Sequence, residues 1–205
     1  MFGNTPMLCG GSQIDTCISF QSSQWSQSHS MTEKRDFAAG VQINSTTFWI
    51  LGGEGGEYIY DGILHTTEFI IQGETKGVPG PNLPTFLTRI CAVKLSETEI
   101  FVIGGLGQDD TRNEVWIYNP QNGFSRKQGP SLSTPRYGHS CSTMRNGEKT
   151  LIVVAGGFNS NYGLLDSVEI YDPTDNTWHS GKIQFPSTKM LILIQYFQTK
   201  IIQSA

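Results

Sequence analysis

The sequence is poor in charge. Asp, Glu, Lys and Arg make up 16% of its 205 residues, against about 25% in ordinary soluble domains. The 14 basic residues are outnumbered by 18 acidic ones, for a net charge of −4. No basic cluster is available to neutralise phosphates, which argues against nucleic-acid binding. Long apolar runs are also lacking. The longest, Met190-Leu191-Ile192-Leu193-Ile194, falls far short of the roughly 20 residues that cross a bilayer, so no membrane insertion is expected. Residues 1–8 have neither a basic n-region nor an apolar h-region and do not read as a signal peptide. Cysteine is scarce: Cys9, Cys17, Cys91 and Cys141 allow three fully paired connectivities and lack the paired spacing of a zinc site.

Glycine is abundant, with 23 residues. Eight of them form the doublets Gly10-Gly11, Gly52-Gly53, Gly104-Gly105 and Gly156-Gly157, spaced 42, 52 and 52 residues apart, each closing a short apolar run. A period near fifty residues, carried by strand-like runs, indicates a radial array of small sheets. One domain over 1–205 is expected, with units near 6–28, 29–80, 81–130 and 131–181; residues 182–205 start a further unit or form a divergent tail.

The third and fourth units superimpose in sequence. Glu99 to Ile103 leads into Gly104-Gly105, a polar loop and then Glu114-Val115-Trp116-Ile117-Tyr118-Asn119-Pro120. Leu151 to Ala155 leads into Gly156-Gly157, a polar loop and then Val168-Glu169-Ile170-Tyr171-Asp172-Pro173, with Trp178 six residues after Asp172. The doublet, the Tyr-Asp-Pro step and the Trp resemble the kelch repeat. The third unit has Asn119 for Asp and Phe124 for Trp; the first keeps Trp25 with Phe20 in place of Tyr; the second keeps only its doublet and the strand at Glu68-Phe69-Ile70-Ile71. Before each first strand stands an apolar residue with a cation four places on: Met31 and Arg35, Leu132 and Arg136, Phe185 and Lys189. The second such step, Leu83 followed only at Arg89, reads as a loop with two extra residues. His139 fits the family's usual His on the innermost strand.

The resemblance implies an all-β fold, a partial kelch-type β-propeller of about four blades of four-stranded antiparallel sheets. The first blade lacks its innermost strand. Residues 190–197 are expected to supply the innermost strand of a further blade or, alternatively, to complete the first. An open ring would expose strand edges and invite self-association.

The doublets are expected to be structural turns, because no helix follows them to receive a phosphate. His29, His65, His139 and His179 fall in different units with no metal-ligand spacing. A copper radical oxidase also uses a kelch-type propeller, but nothing in the sequence brings Tyr60 or Tyr162 together with Cys and His, and no catalytic, metal or cofactor site is expected. Two disulfide candidates stand out, Cys9 with Cys17 across the first doublet and Cys91 with Cys141 at equivalent places on adjacent units; buried free thiols are the alternative. The Asn44-Ser45-Thr46 sequon and the cysteines hint at the outside of the cell, while the missing leader pattern tilts toward the cytoplasm.

In kelch propellers the loops after the doublets, here 54–65, 106–113 and 158–166, share a face with those before the innermost strands, 26–34, 77–84 and 129–135. Partner proteins usually bind there. Tyr58, Tyr60, Asp109, Arg112, Asn161 and Tyr162 are the candidate contacts, chosen mainly because aromatic and Arg side chains supply most interface energy. The expected function is a non-catalytic protein-interaction module. It would be the substrate-reading part of a ubiquitin-ligase adaptor if joined to the BTB and BACK domains of such kelch proteins, which these 205 residues do not contain. The alternative is a secreted or cell-surface kelch protein that binds a matrix or glycan ligand.

Overall fold

The computed structural model describes residues 5–11, 14–55 and 62–182. They fall into two compact units, Met1–Arg89 and Ile90–Ala205. The all-β expectation holds: among the described residues, regular structure consists of antiparallel strands apart from one short 3-10 turn at Pro120–Asn122.

The described residues of the first unit form two sheets. One is three-stranded, ordered β1 (Met7–Cys9), β2 (Thr16–Gln21), β3 (Gln24–Ser30), and begins at the strand that precedes the doublet. The other is four-stranded, ordered β4 (Ala39–Asn44), β5 (Thr47–Leu51), β6 (Thr67–Ile71), β7 (Val78–Pro79). Alternation places Cys17 of the first sheet against Ile50 and Ile70 of the second, with Met31 between them, and this cluster is the unit's core. Cys9 and Cys17 lie opposite each other across β1 and β2 and are joined by a disulfide, Cα to Cα 4.0 Å. The hydrogen bond from Gly10 N to Thr16 O makes Cys9 and Cys17 a non-hydrogen-bonded pair, the closer of the two antiparallel spacings.

The described residues of the second unit form two four-stranded sheets and a separate two-stranded hairpin. One is ordered β8 (Cys91–Ser96), β9 (Glu99–Leu106), β10 (Thr111–Asn119), β11 (Ser125–Gln128). The other follows β12 (Ser140–Asn146) and β13 (Lys149–Ala155), then a small hairpin of β14 (Phe158–Asn159) and β15 (Gly163–Leu164), then β16 (Ser167–Asp172) and β17 (Thr177–Lys182). Its order is β12-β13-β16-β17. Ile100 to Ile103 in β9 are buried on both faces, as an unbroken apolar run requires of a central strand. Phe101, Ile103, Val115 and Ile117 of the third sheet pack on Ile152, Val154 and Tyr171 of the fourth. A disulfide between Cys91 and Cys141 ties the first strands of these sheets, Cα to Cα 6.0 Å.

The doublets are glycine for two separate reasons. Gly52 and Gly53 take φ of 58° and 100°, a region L side chains avoid. A Cβ on Gly52 would also lie 2.3 Å from Leu87 O, and one on Gly53 2.6 Å from Asp36 O. The doublet is thus wedged between its own sheet's entry loop and the next one. Gly11 N donates to Arg35 O, Gly53 N to Leu87 O and Gly105 N to Arg136 O.

That pattern corrects two readings of the sequence. Leu87, not Arg89, occupies the position of Arg35 and Arg136, so the second entry loop carries no extra residues and Leu simply replaces the cation. Arg89 falls two places later, at the left-handed position held by Phe37 and Gly138, with φ of 53°, 52° and 61° respectively. In the third sheet Phe124 does not stand in for Trp. The 3-10 turn lengthens that hairpin, Phe124 sits in it at φ 56°, and Arg126 is the residue opposite Tyr118 where Trp178 lies opposite Tyr171. Smaller differences follow from bulges: strand structure runs through Gly104-Gly105 as far as Leu106, and the 158–166 loop contains the β14–β15 hairpin. His139 stands immediately before β12 rather than within it. The expected strand at 190–197 and the step at Phe185 and Lys189 lie outside the described residues.

Candidate partner-binding loops

Each four-stranded sheet with an Arg in its entry loop is pinned by a buried ion pair. In the second sheet Arg35 Nε donates to Glu68 Oε1 at 2.8 Å, and its other nitrogens donate to Gly52 O, Thr66 O and Glu33. Glu68 Oε2 accepts from Thr32 N at 2.6 Å. The fourth sheet repeats this: Arg136 Nη2 donates to Glu169 Oε1 at 2.8 Å and Nη1 to Gly156 O at 2.8 Å, while Ser133 N and Oγ donate to Glu169 Oε2. Both pairs are almost wholly buried. They fix the entry loop to the doublet and third strand, and so set where the loops around them emerge.

In the second unit the entry loop meets the loops after both doublets. Asn159, itself buried, donates from Nδ2 to Pro135 O at 2.7 Å and accepts from the Asn161 and Tyr162 amides, presenting Asn161 and Tyr162 to solvent; Tyr162 is 75% exposed. Arg112 O accepts from Arg136 N, and Asn113 Nδ2 donates to Leu132 O. Thr111 and Ser160 hydroxyls meet at 2.8 Å, which brings the segments carrying Arg112 and Asn161 together. Arg112 pairs with Asp110 at 2.8 Å and with Glu114 at 3.5 Å; Asp109 is exposed at the neighbouring turn. Tyr58 and Tyr60 lie outside the described residues.

The first unit presents a cluster that the sequence did not single out. Arg89 lies over the Phe37 ring, 3.8 Å from its centroid, and pairs with Glu54 at 3.4 Å; Glu54 also accepts from Thr88 Oγ1. Phe37 is 54% exposed. Nearby in chain order, His65 meets the partly exposed Phe86 edge-on at 4.6 Å. The only signal in the sequence was the alignment of Phe37 with Gly138, visible once the Leu87 register is known.

His139 is buried between two doublets: a Cβ on Gly104 would touch its Cε1 and one on Gly157 its Cβ. Burial and the charge of Arg136 push its pKa down to about 3, with the carbonyls of Ile103 and Arg136 opposing. The imidazole is therefore a neutral spacer. Because its folded pKa lies below the unfolded value near 6.5, stability is complete above that value and falls as pH drops toward 3. Between pH 6.5 and 5, above the carboxylate range, the protein is expected to lose about 2 kcal/mol of unfolding free energy on this account. Denaturant titrations across that window should show the slope, and His139→Gln should flatten it. Burial likewise raises Tyr118 to about 12, with Arg126 opposing. Among the described residues no three His, Cys, Asp or Glu side chains converge on a metal position.

Repeated antiparallel sheets, joined through glycine doublets and entry loops, define the class: sheets of a β-propeller type. Residues 135–182, which span the whole fourth sheet, match the family model of the Kelch motif. Kelch-like protein 25 of Rattus norvegicus is 29% identical over 110 residues, covering 49% of this chain and 18% of that protein. An F-box/kelch-repeat protein of Arabidopsis thaliana is 29% identical over 93 residues, covering 41% and 19%. The chain is thus similar to kelch-repeat proteins, and its four-stranded antiparallel sheets are consistent with a partial kelch-type β-propeller. It spans about a fifth of the length of these curated relatives.

Proposed function

We propose that the chain is a non-catalytic recognition module that holds a partner protein through its entry loops and post-doublet loops, as the substrate-reading part of a larger adaptor. The observation that carries this reading is Phe37. A bulky aromatic is held at φ 52° and left 54% exposed beneath Arg89. Left-handed backbone costs a non-glycine residue about 1 to 2 kcal/mol, and such strain concentrates at binding sites. The ring gains little burial to offset it. Exposed Tyr162 and the partly exposed Arg112 supply matching aromatic and cationic contacts in the other unit. The names of the plant relatives, which join kelch repeats to an F-box, support the adaptor context.

Phe37→Gly separates binding from folding. It copies Gly138, relieves the strain and removes the ring. The variant is expected to match or exceed the parent in unfolding free energy by about 1 kcal/mol, yet to lose a partner protein that the parent and a control at exposed Met144, Met144→Thr, both retain in quantitative affinity capture. Equal capture by Phe37→Gly and by Tyr162→Ser would refute the loop-face reading.

A further inference from the structure

The outer edge of β3 is unlike those of the second and third sheets. β11 is guarded by Arg126 and Lys127, and β7 is two residues long and contains Pro79, both common ways to stop strand addition. β3 runs for seven residues, Gln24-Trp25-Ser26-Gln27-Ser28-His29-Ser30, with no acidic residue, Lys, Arg or proline. Its exposed backbone groups can be assigned from register. Gly10 N donates to Thr16 O and Phe20 N to Pro6 O, so the backbone polar groups of Thr16, Ile18 and Phe20 point at β1. Their partners on β3 are Ser30, Gln27 and Trp25, whose groups must point outward.

Ser30 uses them within the chain. Ser30 N donates to Thr75 O at 2.9 Å and Ser30 O accepts from Gly77 N at 2.7 Å, forming a parallel bridge with Lys76. This short segment is already a strand added to the β3 edge. Upstream the chain turns away through 72–74, and among the described residues no hydrogen bond reaches the outward groups of Trp25 or Gln27.

The two faces flanking this free stretch differ in chemistry. On one side a cleft of about 340 Å³ is lined mainly by hydroxyls and carboxamides, among them Ser19, Ser26, Ser28 and Gln72, that both donate and accept, together with His29 and Glu74. The second sheet has Gly77 at the register position that Trp178 holds in the fourth. In the fourth sheet the Trp178 indole donates to Pro130 O at 2.8 Å; here the backbone N–H of Gly77 donates to Ser30 O. On the other side Leu8, Phe20 and Trp25 are 46%, 40% and 48% exposed, the Phe20 and Trp25 rings 5.3 Å apart.

We propose that the outer edge of β3 takes up an extended peptide strand of a partner protein, one whose side chains alternate between apolar and uncharged polar residues. Its backbone continues the ladder begun by Thr75 to Gly77. Period-two alternation sends its polar side chains toward Ser19, Ser26 and Gln72 and its apolar ones toward Phe20 and Trp25.

The test uses the full chain, isotope-labelled, and a capped synthetic peptide of alternating valine and threonine. Saturable shifts and slowed exchange are expected at the Trp25 and Gln27 amides. Gln27→Pro removes an outward N–H at a position where an edge strand tolerates proline, and should weaken the peptide about tenfold. Trp25→Thr, which leaves the backbone donors in place, should weaken it less. A peptide of the same composition with its valines and threonines in two blocks should bind more weakly. Absence of saturable binding, equal binding of the block peptide, or an unchanged affinity for Gln27→Pro would each overturn the proposal. So would a concentration-dependent dimer abolished by Gln27→Pro, which assigns the edge to a second copy. Shifts at Ser19 and Gln72 with maltotriose but not with the peptide would assign the cleft to a neutral sugar.

Discussion

Arg136→Leu is expected to destabilise the protein by about 3 to 5 kcal/mol, because it leaves Glu169 as a buried charge without its partner. Glu169 is 1% exposed and Arg136 fully buried. The guanidinium does more than pair. It donates to Gly156 O, Ser167 O and Ser167 Oγ, so its loss also frees a doublet carbonyl. The double variant Arg136→Leu/Glu169→Leu is expected to recover more than half of the loss. It removes the stranded charge, and the amide of Ser133, an exposed residue, can turn to water in place of the carboxylate. The protein itself supplies a precedent. Leu87 stands where the third sheet's cation would be, and Trp116 stands at the register position of Glu68 and Glu169, so both partners are replaced together. Urea unfolding of the single and double variants decides the matter; a single variant within about 1 kcal/mol of the parent, or a double no better than the single, would show that the pair contributes little.

Gly52→Ala should be among the most damaging of the glycine-to-alanine substitutions, at about 4 kcal/mol. Positive φ accounts for roughly 1 to 2 kcal/mol of this. The rest comes from a Cβ placed 2.3 Å from Leu87 O, a contact with backbone that no rotamer relieves. Moving the backbone would strain the bond from Gly53 N to Leu87 O and the one from Arg35 Nη1 to Gly52 O. Gly11→Ala is the control within the same motif. Gly11 also has a positive φ, 88°, but a Cβ there meets nothing within 4 Å, because the first sheet has no entry loop of its own among the described residues. It should cost only the backbone term, about 1 to 2 kcal/mol. Similar unfolding midpoints for the two variants would mean that left-handed φ, and not the wedge between entry loops, is why the doublet is conserved along the repeat.

Much of this architecture was legible in one dimension. The doublets, the apolar runs before them and the Tyr171 to Trp178 step are local, since alternation and turn chemistry act over a few residues and repeat with the unit. Arg35 and Arg136 were visible as a phase, though not as ion pairs: their carboxylates stand 33 residues downstream on another strand, and spacing that long carries no signal. The same limit hid the Leu87 register, because only the hydrogen bond from Gly53 shows which residue of the entry loop is equivalent to Arg35. It also misplaced Phe124, where a 3-10 turn changed the hairpin length.

The candidate loops divide in the same way. Exposure of Asn161 and Tyr162 follows from a local turn around Asn159, whereas the meeting of Thr111 with Ser160 joins residues from two repeats. Phe37 under Arg89 could be found only by seeing that two residues 52 apart occupy one repeated backbone position. By itself the sequence determined the all-β class, the period and the strands, because periodicity and glycine conformations are encoded locally. Tertiary structure alone decided which cations are buried and paired, which aromatics are left exposed and which strand edge is free, because desolvation and partner geometry arise only when separate repeats are brought face to face.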